Sequence, residues 1–162
     1  MKHAVLAAAV CVLVLTAAQC RPPERGPEPA VSAEDKPEIL VQPDRVLVQH
    51  LLIAFEGTIP DKTIVRTREE AEQLALELFE RARAGEDFDA LVREYTDDQH
   101  PGIYAMTNFD IEPDPSVEEY SRSRMVKSFG DVSFGLPVGG FGLAVYDPDA
   151  SKYGWHIIKR LE

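Results

Sequence analysis

Residues 45–55, RVLVQHLLIAF, carry apolar side chains on both faces of what reads as one extended strand. Alternate residues of a strand point to opposite sides, so Val46, Val48, His50, Leu52 and Ala54 share one face, and Leu47, Gln49, Leu51, Ile53 and Phe55 the other. A strand at a surface is apolar on one side only. The pattern therefore predicts a central strand covered by a layer on each face. The segment YGWHIIKRLE alternates His156, Ile158 and Arg160 against Trp155, Ile157, Lys159 and Leu161, which predicts another strand. Each of the two strands contributes one histidine.

The residues between them divide by local signals. TREE at 67–70 is a capping box, in which the Thr67 hydroxyl and the Glu70 carboxylate satisfy the first free amides of a helix. Ala71, Leu74, Ala75, Leu78, Phe79 and Ala82 follow at helical spacing, and Gly85 is placed to end the helix in a left-handed conformation. Asp87 caps a shorter helix whose buried stripe is Phe88, Leu91, Val92 and Tyr95. Beyond it HPG reads as a turn, IYAMTNF as a short strand and DIEPDPSVEEYSRS as an exposed acidic insertion. RMVKSFGDVSF reads as a short helix with Met125 and Phe129 on one face, and FGLAVYD as a strand joined to the last one through PDASK. This order predicts a single α+β domain over residues 45–162, a small four-stranded, mainly antiparallel sheet wrapped by helices.

The first 44 residues read differently. Lys2 and the apolar run AVLAAAVCVLVLTAA have the form of an export signal over 1–19, short of the roughly 20 residues that span a membrane. LTAAQC resembles a bacterial lipoprotein lipobox, with Gln19 where that family usually has Gly, Ala or Ser. The resemblance implies a lipid on Cys20 and attachment to a membrane; the alternative is cleavage after Ala18. Residues 20–44 contain six prolines among charged and small residues and read as a disordered tether. The expected location is the periplasm or cell envelope. No cysteine follows Cys20, which excludes an internal disulfide and a thiolate metal site from the domain. The net charge is −11, or −12 once Lys2 leaves with the signal, and a chain this acidic repels nucleic acid.

A histidine on a strand is by itself an ordinary core residue. Here QHLLIAF, AGEDFDALVREYTDD, MVKSF and YGWHIIKRLE occur in one order, and together they resemble the parvulin family of peptidyl-prolyl cis/trans isomerases over about residues 45–162. The resemblance implies a parvulin-like fold and rotation of Xaa-Pro bonds in unfolded or proline-containing exported polypeptides, with no cofactor and no metal. It further implies that His50 and His156 are the paired active-site histidines, and that Asp98 occupies the position of a cysteine or aspartate. Met125 and Phe129 match the wall of the proline pocket, and Tyr153 falls where a hydroxyl-bearing residue is common. One segment departs from the family: a GGDLG turn whose leucine lines the pocket is replaced by PGIYAM, so that Tyr104 or Met106 takes the leucine's place.

The mechanistic expectation is that His50 holds His156 in one tautomer and that the pair orients Asp98, without proton transfer. Two other readings compete. The same cleft could serve a chaperone that binds peptides without catalysis. A metal held by His50, Asp98, His100 and His156 is disfavoured, because no helical His-x-x-x-His pair anchors it. Lys62, Arg66 and Arg68 are interleaved with Glu56, Asp61, Glu69 and Glu70 and read as a mixed solvated surface, not as a phosphate site.

Overall fold

The computed structural model describes residues 41–162. The export signal, Cys20 and the tether up to residue 40 lie outside the described residues. The elements are β1 (Arg45–Ile53), α1 (Arg68–Arg83), α2 (Phe88–Tyr95), β2 (Ile103–Thr107), β3 (Glu119–Ser121), α3 (Lys127–Gly135), β4 (Phe141–Ala144) and β5 (Trp155–Arg160), with one 3-10 turn at Arg122–Arg124. They form one sheet in the order β3-β2-β1-β5-β4. β1 is central, as its two apolar faces require.

Each face of β1 has its own core. Leu51 and Ile53, with Trp155 and Ile157 of β5, pack under Ala71, Ala75 and Leu78 of α1 and Phe88, Leu91 and Val92 of α2. Val46 and Val48, with Ile158 of β5 and Met106 of β2, pack under Phe129 and Phe134 of α3. The helices end where their sequences say. The Thr67 hydroxyl accepts from the Glu70 amide at 3.2 Å, and the Glu70 carboxylate from the Thr67 amide at 2.8 Å. Gly85, at φ +97°, takes the left-handed position that closes α1. The Asp87 carboxylate accepts the Asp89 amide at 3.0 Å and starts α2.

The sheet has five strands, not four, and it is mixed. β3 pairs with β2 in parallel, from Ala105↔Glu119 to Thr107↔Ser121, whereas the other three pairings are antiparallel. β3 comes from the segment read above as an exposed acidic insertion. Its Glu119 side chain is only 6% exposed and accepts a hydrogen bond from Arg45 Nε at 3.1 Å, so pairing with a cation lets an acidic residue join the sheet. Arg122, next along, is buried as well. Its guanidinium donates to Gln42, Asn108 and Asp131 at 2.7–2.9 Å and lies between the rings of Phe109 and Phe134. This clamp fixes the route from the insertion into Met125 and α3. It also holds Gln42, and Asn108 binds the carbonyls of Pro43 and Asp44, so the residues just before β1 are docked on the domain.

Candidate active site

The β1–β5 register decides which polar groups meet. Leu52 lies opposite His156 and His50 opposite Ile158, so the two histidines are diagonal neighbours on the face that α3 covers. Their rings are nearly parallel, at 17°, and the two Nδ1 atoms are 3.3 Å apart. Both residues are 4% exposed.

Asp98 reaches the pair from the loop after α2, and the residues before it explain how. The Leu52 amide donates to the Thr96 hydroxyl, the Asp97 amide to the Leu52 carbonyl, and the Ala54 amide to the Asp97 carboxylate. Arg66 donates to that same carboxylate. Thr96 and Asp97 thus stitch the loop to the end of β1 and leave the next carboxylate turned to the other side. There Asp98 Oδ2 accepts from His50 Nε2 at 3.1 Å and from the Tyr104 hydroxyl at 3.0 Å. Gly102 makes the approach feasible. A Cβ on it would lie 2.5 Å from the His50 carbonyl oxygen, and its φ is +65°.

Charge follows from this arrangement. The hydrogen bond from His50 holds the Asp98 carboxyl below its ordinary range, against an opposing push from burial. Burial, with the neighbouring Asp98 charge, pushes the Tyr104 phenol up to about 12. Burial and the proximity of His50 push His156 down to about 3. At neutral pH the row therefore contains an anionic Asp98, a neutral Tyr104 and a neutral His156. Because a carboxylate can only accept, His50 carries a proton on Nε2. The two Nδ1 atoms share one hydrogen bond, in which one ring donates to the other. His156 Nε2 is buried and without a partner among the described residues.

This row lies along a cleft of about 370 Å³. His50, Asp98, Tyr104, Met125, Phe129, Tyr153 and His156 all line it, so seven of the eight cleft residues picked from the sequence converge. Met106 does not. It is fully buried in the core beneath α3, opposite Val46, and of the two candidates for the family's leucine only Tyr104 reaches the cleft. His100 turns away and bonds Asp89 at 2.8 Å. Three lining residues, Ile59, Pro60 and Lys62, come from the loop after β1. That loop folds back because Lys62 donates to the carbonyls of Asp97 and Asp98.

A protein-family model described as "PPIC-type PPIASE domain" matches residues 38–162. The chain belongs to that family of peptidyl-prolyl isomerases. Among curated relatives of this isomerase domain, Chaperone SurA of Pseudomonas fluorescens Pf-5 is 34% identical over 119 residues, 73% of this chain and 23% of that protein. Foldase protein PrsA 4 of Bacillus cereus is 35% identical over 88 residues, 54% of this chain and 27% of that protein. The chain thus spans about a quarter of the length of these relatives. Among solved structures, the solution structure of TbPIN1 superposes with a TM-score of 0.52 at 22% identity, covering 74% of this chain and 98% of that one, which establishes a shared fold.

Proposed function

We propose that the domain catalyses cis/trans isomerisation of Xaa-Pro bonds in exported polypeptides by non-covalent stabilisation of the twisted amide. The observation that carries this reading is the hydrogen-bonded row Asp98–His50–His156 running along an apolar cleft walled by Met125 and Phe129.

Rotation about an amide meets a barrier of about 18–20 kcal/mol. Lowering it by about 4–7 kcal/mol accelerates the reaction roughly 10³- to 10⁵-fold. No bond has to break. The planar amide owes its stiffness to a resonance form with negative charge on oxygen. Moving it into the apolar wall of Met125 and Phe129 disfavours that form more than the twisted one. The Asp98 carboxylate acts in the same direction. It is the anion of the cleft, and held near the substrate oxygen it repels the charge that resonance would place there.

His50 and Tyr104 both donate to Asp98 Oδ2, which fixes the carboxylate's orientation and keeps it ionised. His156 fixes His50 in turn through Nδ1. Neither histidine has to exchange a proton with substrate. We place this activity outside the cytoplasm, in the periplasm or cell envelope, with a lipid on Cys20 as the attachment to a membrane. The support is the form of residues 1–20.

The test is NMR exchange spectroscopy, without a coupled protease, on a panel of peptides that differ in the residue before proline. Line broadening from accelerated cis/trans exchange supports the assignment. Chemical-shift changes with exchange unaltered or slowed would make the domain a binding module instead.

A further inference from the structure

We propose that a second hollow, bordered by Arg124, Lys127 and Lys152, is a subsite for an acidic client side chain flanking the isomerised proline. The proposal rests on the isomerase reading and specifies which clients that site prefers. The hollow measures about 410 Å³ and shares Met125, Val126 and Tyr153 with the proline cleft. A peptide gripped in the cleft therefore extends into it directly. The rest of its lining is Arg124, Lys127, Lys152 and Asp149.

Three cations against one carboxylate invert the local charge of a chain whose net charge is −11. Two of them, Arg124 and Lys152, make no ion pair among the described residues. Arg124 is exposed and makes no ion pair or side-chain hydrogen bond among the described residues. Lys152 is exposed and its ammonium lies 5.0 Å from the centre of the Tyr153 ring. Lys127 pairs with Asp131 at 2.6 Å, but Asp131 also accepts from Arg122, so one carboxylate answers two cations. With Asp149 offsetting one charge, a surplus remains for an incoming carboxylate.

The hollow is held in shape before any ligand arrives. The Asp147 carboxylate accepts the amides of Asp149 and Ala150, and the Ala150 carbonyl accepts the Ser128 amide at the start of α3. Pre-ordering of this kind lowers the entropic cost of engagement. Continuity with the cleft favours a client side chain over a flat anionic lipid surface.

The experiment uses the full chain and peptides with Glu, Gln or Lys next to the proline or one residue removed, on either side. Wild type is expected to favour the best-placed Glu peptide over its Gln counterpart about three- to tenfold in kcat/KM, as one or two exposed ion pairs supply. The Lys counterpart should rank last, and the preference should collapse at about 0.5 M salt. In the double variant Arg124→Gln, Lys152→Gln the Glu-to-Gln ratio should fall to about one. A ratio of one in wild type, or a ratio the double variant leaves intact, overturns the proposal. So does binding to vesicles of anionic lipid that the double variant loses while the peptide ratio stays at one. The same ratio read as Kd by chemical-shift titration tests the subsite even if no peptide is isomerised, an outcome that would refute the isomerase reading alone.

Discussion

Replacing His50 with alanine removes the central member of the row, and its cost can be worked from the contacts. The ring donates to Asp98 through Nε2 and shares a hydrogen bond with His156 through Nδ1. The Asp98 side chain is 35% exposed and rehydrates when its donor is lost, so that bond contributes about 1 kcal/mol. His156 fares worse. Its Nε2 already lacks a partner, and losing the Nδ1 contact leaves a buried ring with no polar partner among the described residues, at about 1–2 kcal/mol. The imidazole also packs edge-on against Tyr104 and Phe129, at 5.1 and 5.2 Å between ring centres. Because the vacated space adjoins an open cleft, water fills it, and the packing loss stays near 1 kcal/mol, well below that of a closed cavity.

The sum is about 3–4 kcal/mol, a substantial fraction of the 5–15 kcal/mol that holds a typical domain together. For a domain of this size it corresponds to a fall in melting temperature of about 10–20 °C. With Asp98 no longer oriented, kcat should fall about tenfold or more. Thermal and urea unfolding, with NMR exchange run well below the new midpoint, measure both quantities. A melting temperature unchanged within about 2 °C and a rate within about twofold of wild type would refute the reasoning, because the row would then support neither fold nor catalysis.

Other outcomes follow from the same geometry. Tyr104→Phe keeps the ring but deletes one of the two donors to Asp98, so the carboxyl should titrate closer to its ordinary range, seen by carbon-detected NMR, and activity should drop several-fold. The domain should lose stability as pH falls below about 6.5, since the unfolded chain protonates His156 there while the folded chain, with that ring held down to about 3, does not. The slope is at most about 1.4 kcal/mol per pH unit, measured by urea unfolding at pH 7 and pH 5, and it should shrink in His156→Gln. Asp98 adds to the acid loss only at lower pH: its folded value is depressed, so its contribution is complete above its ordinary value of 3.8 and disappears as pH falls through the folded value. Gly102→Ala should displace the β1 backbone at His50, because the new Cβ has 2.5 Å to the His50 carbonyl oxygen, and should reduce both melting temperature and activity.

What could be read from residues alone depended on how local the determinants were. The capping box at Thr67 and the cap at Asp87 involve residues two or three apart, and both are present as the sequence implies. The central placement of β1 follows from its alternation. Alternation put each histidine on a face of its strand, but the pairing of His50 with His156 was legible only through the resemblance of QHLLIAF and YGWHIIKRLE to the parvulin family. β3 was not legible. It is three residues long, pairs in parallel with β2, and depends on Arg45, 74 positions away, to neutralise Glu119. Parity also could not choose between Tyr104 and Met106, which share a face of β2. Register chooses: Tyr104 lies opposite Val48, one step along that face from His50, while Met106 lies opposite Val46 under Phe134. Lys62 and Pro60 were missed as cleft residues because a loop docked by Lys62 and Arg66 on the Asp97 segment leaves no periodic trace in the sequence.

The most direct test of a charge-and-cleft mechanism separates binding from rate in two variants. Asp98→Asn should lower kcat about tenfold and lower KM with it, since the carboxylate disfavours the bound planar amide more than the twisted one. Met125→Ala should raise KM, because that side chain grips the ring. If Asp98→Asn instead raised KM and left kcat at the wild-type value, the carboxylate would be a binding group, and stabilisation of the twisted amide by the Asp98–His50–His156 row would be contradicted.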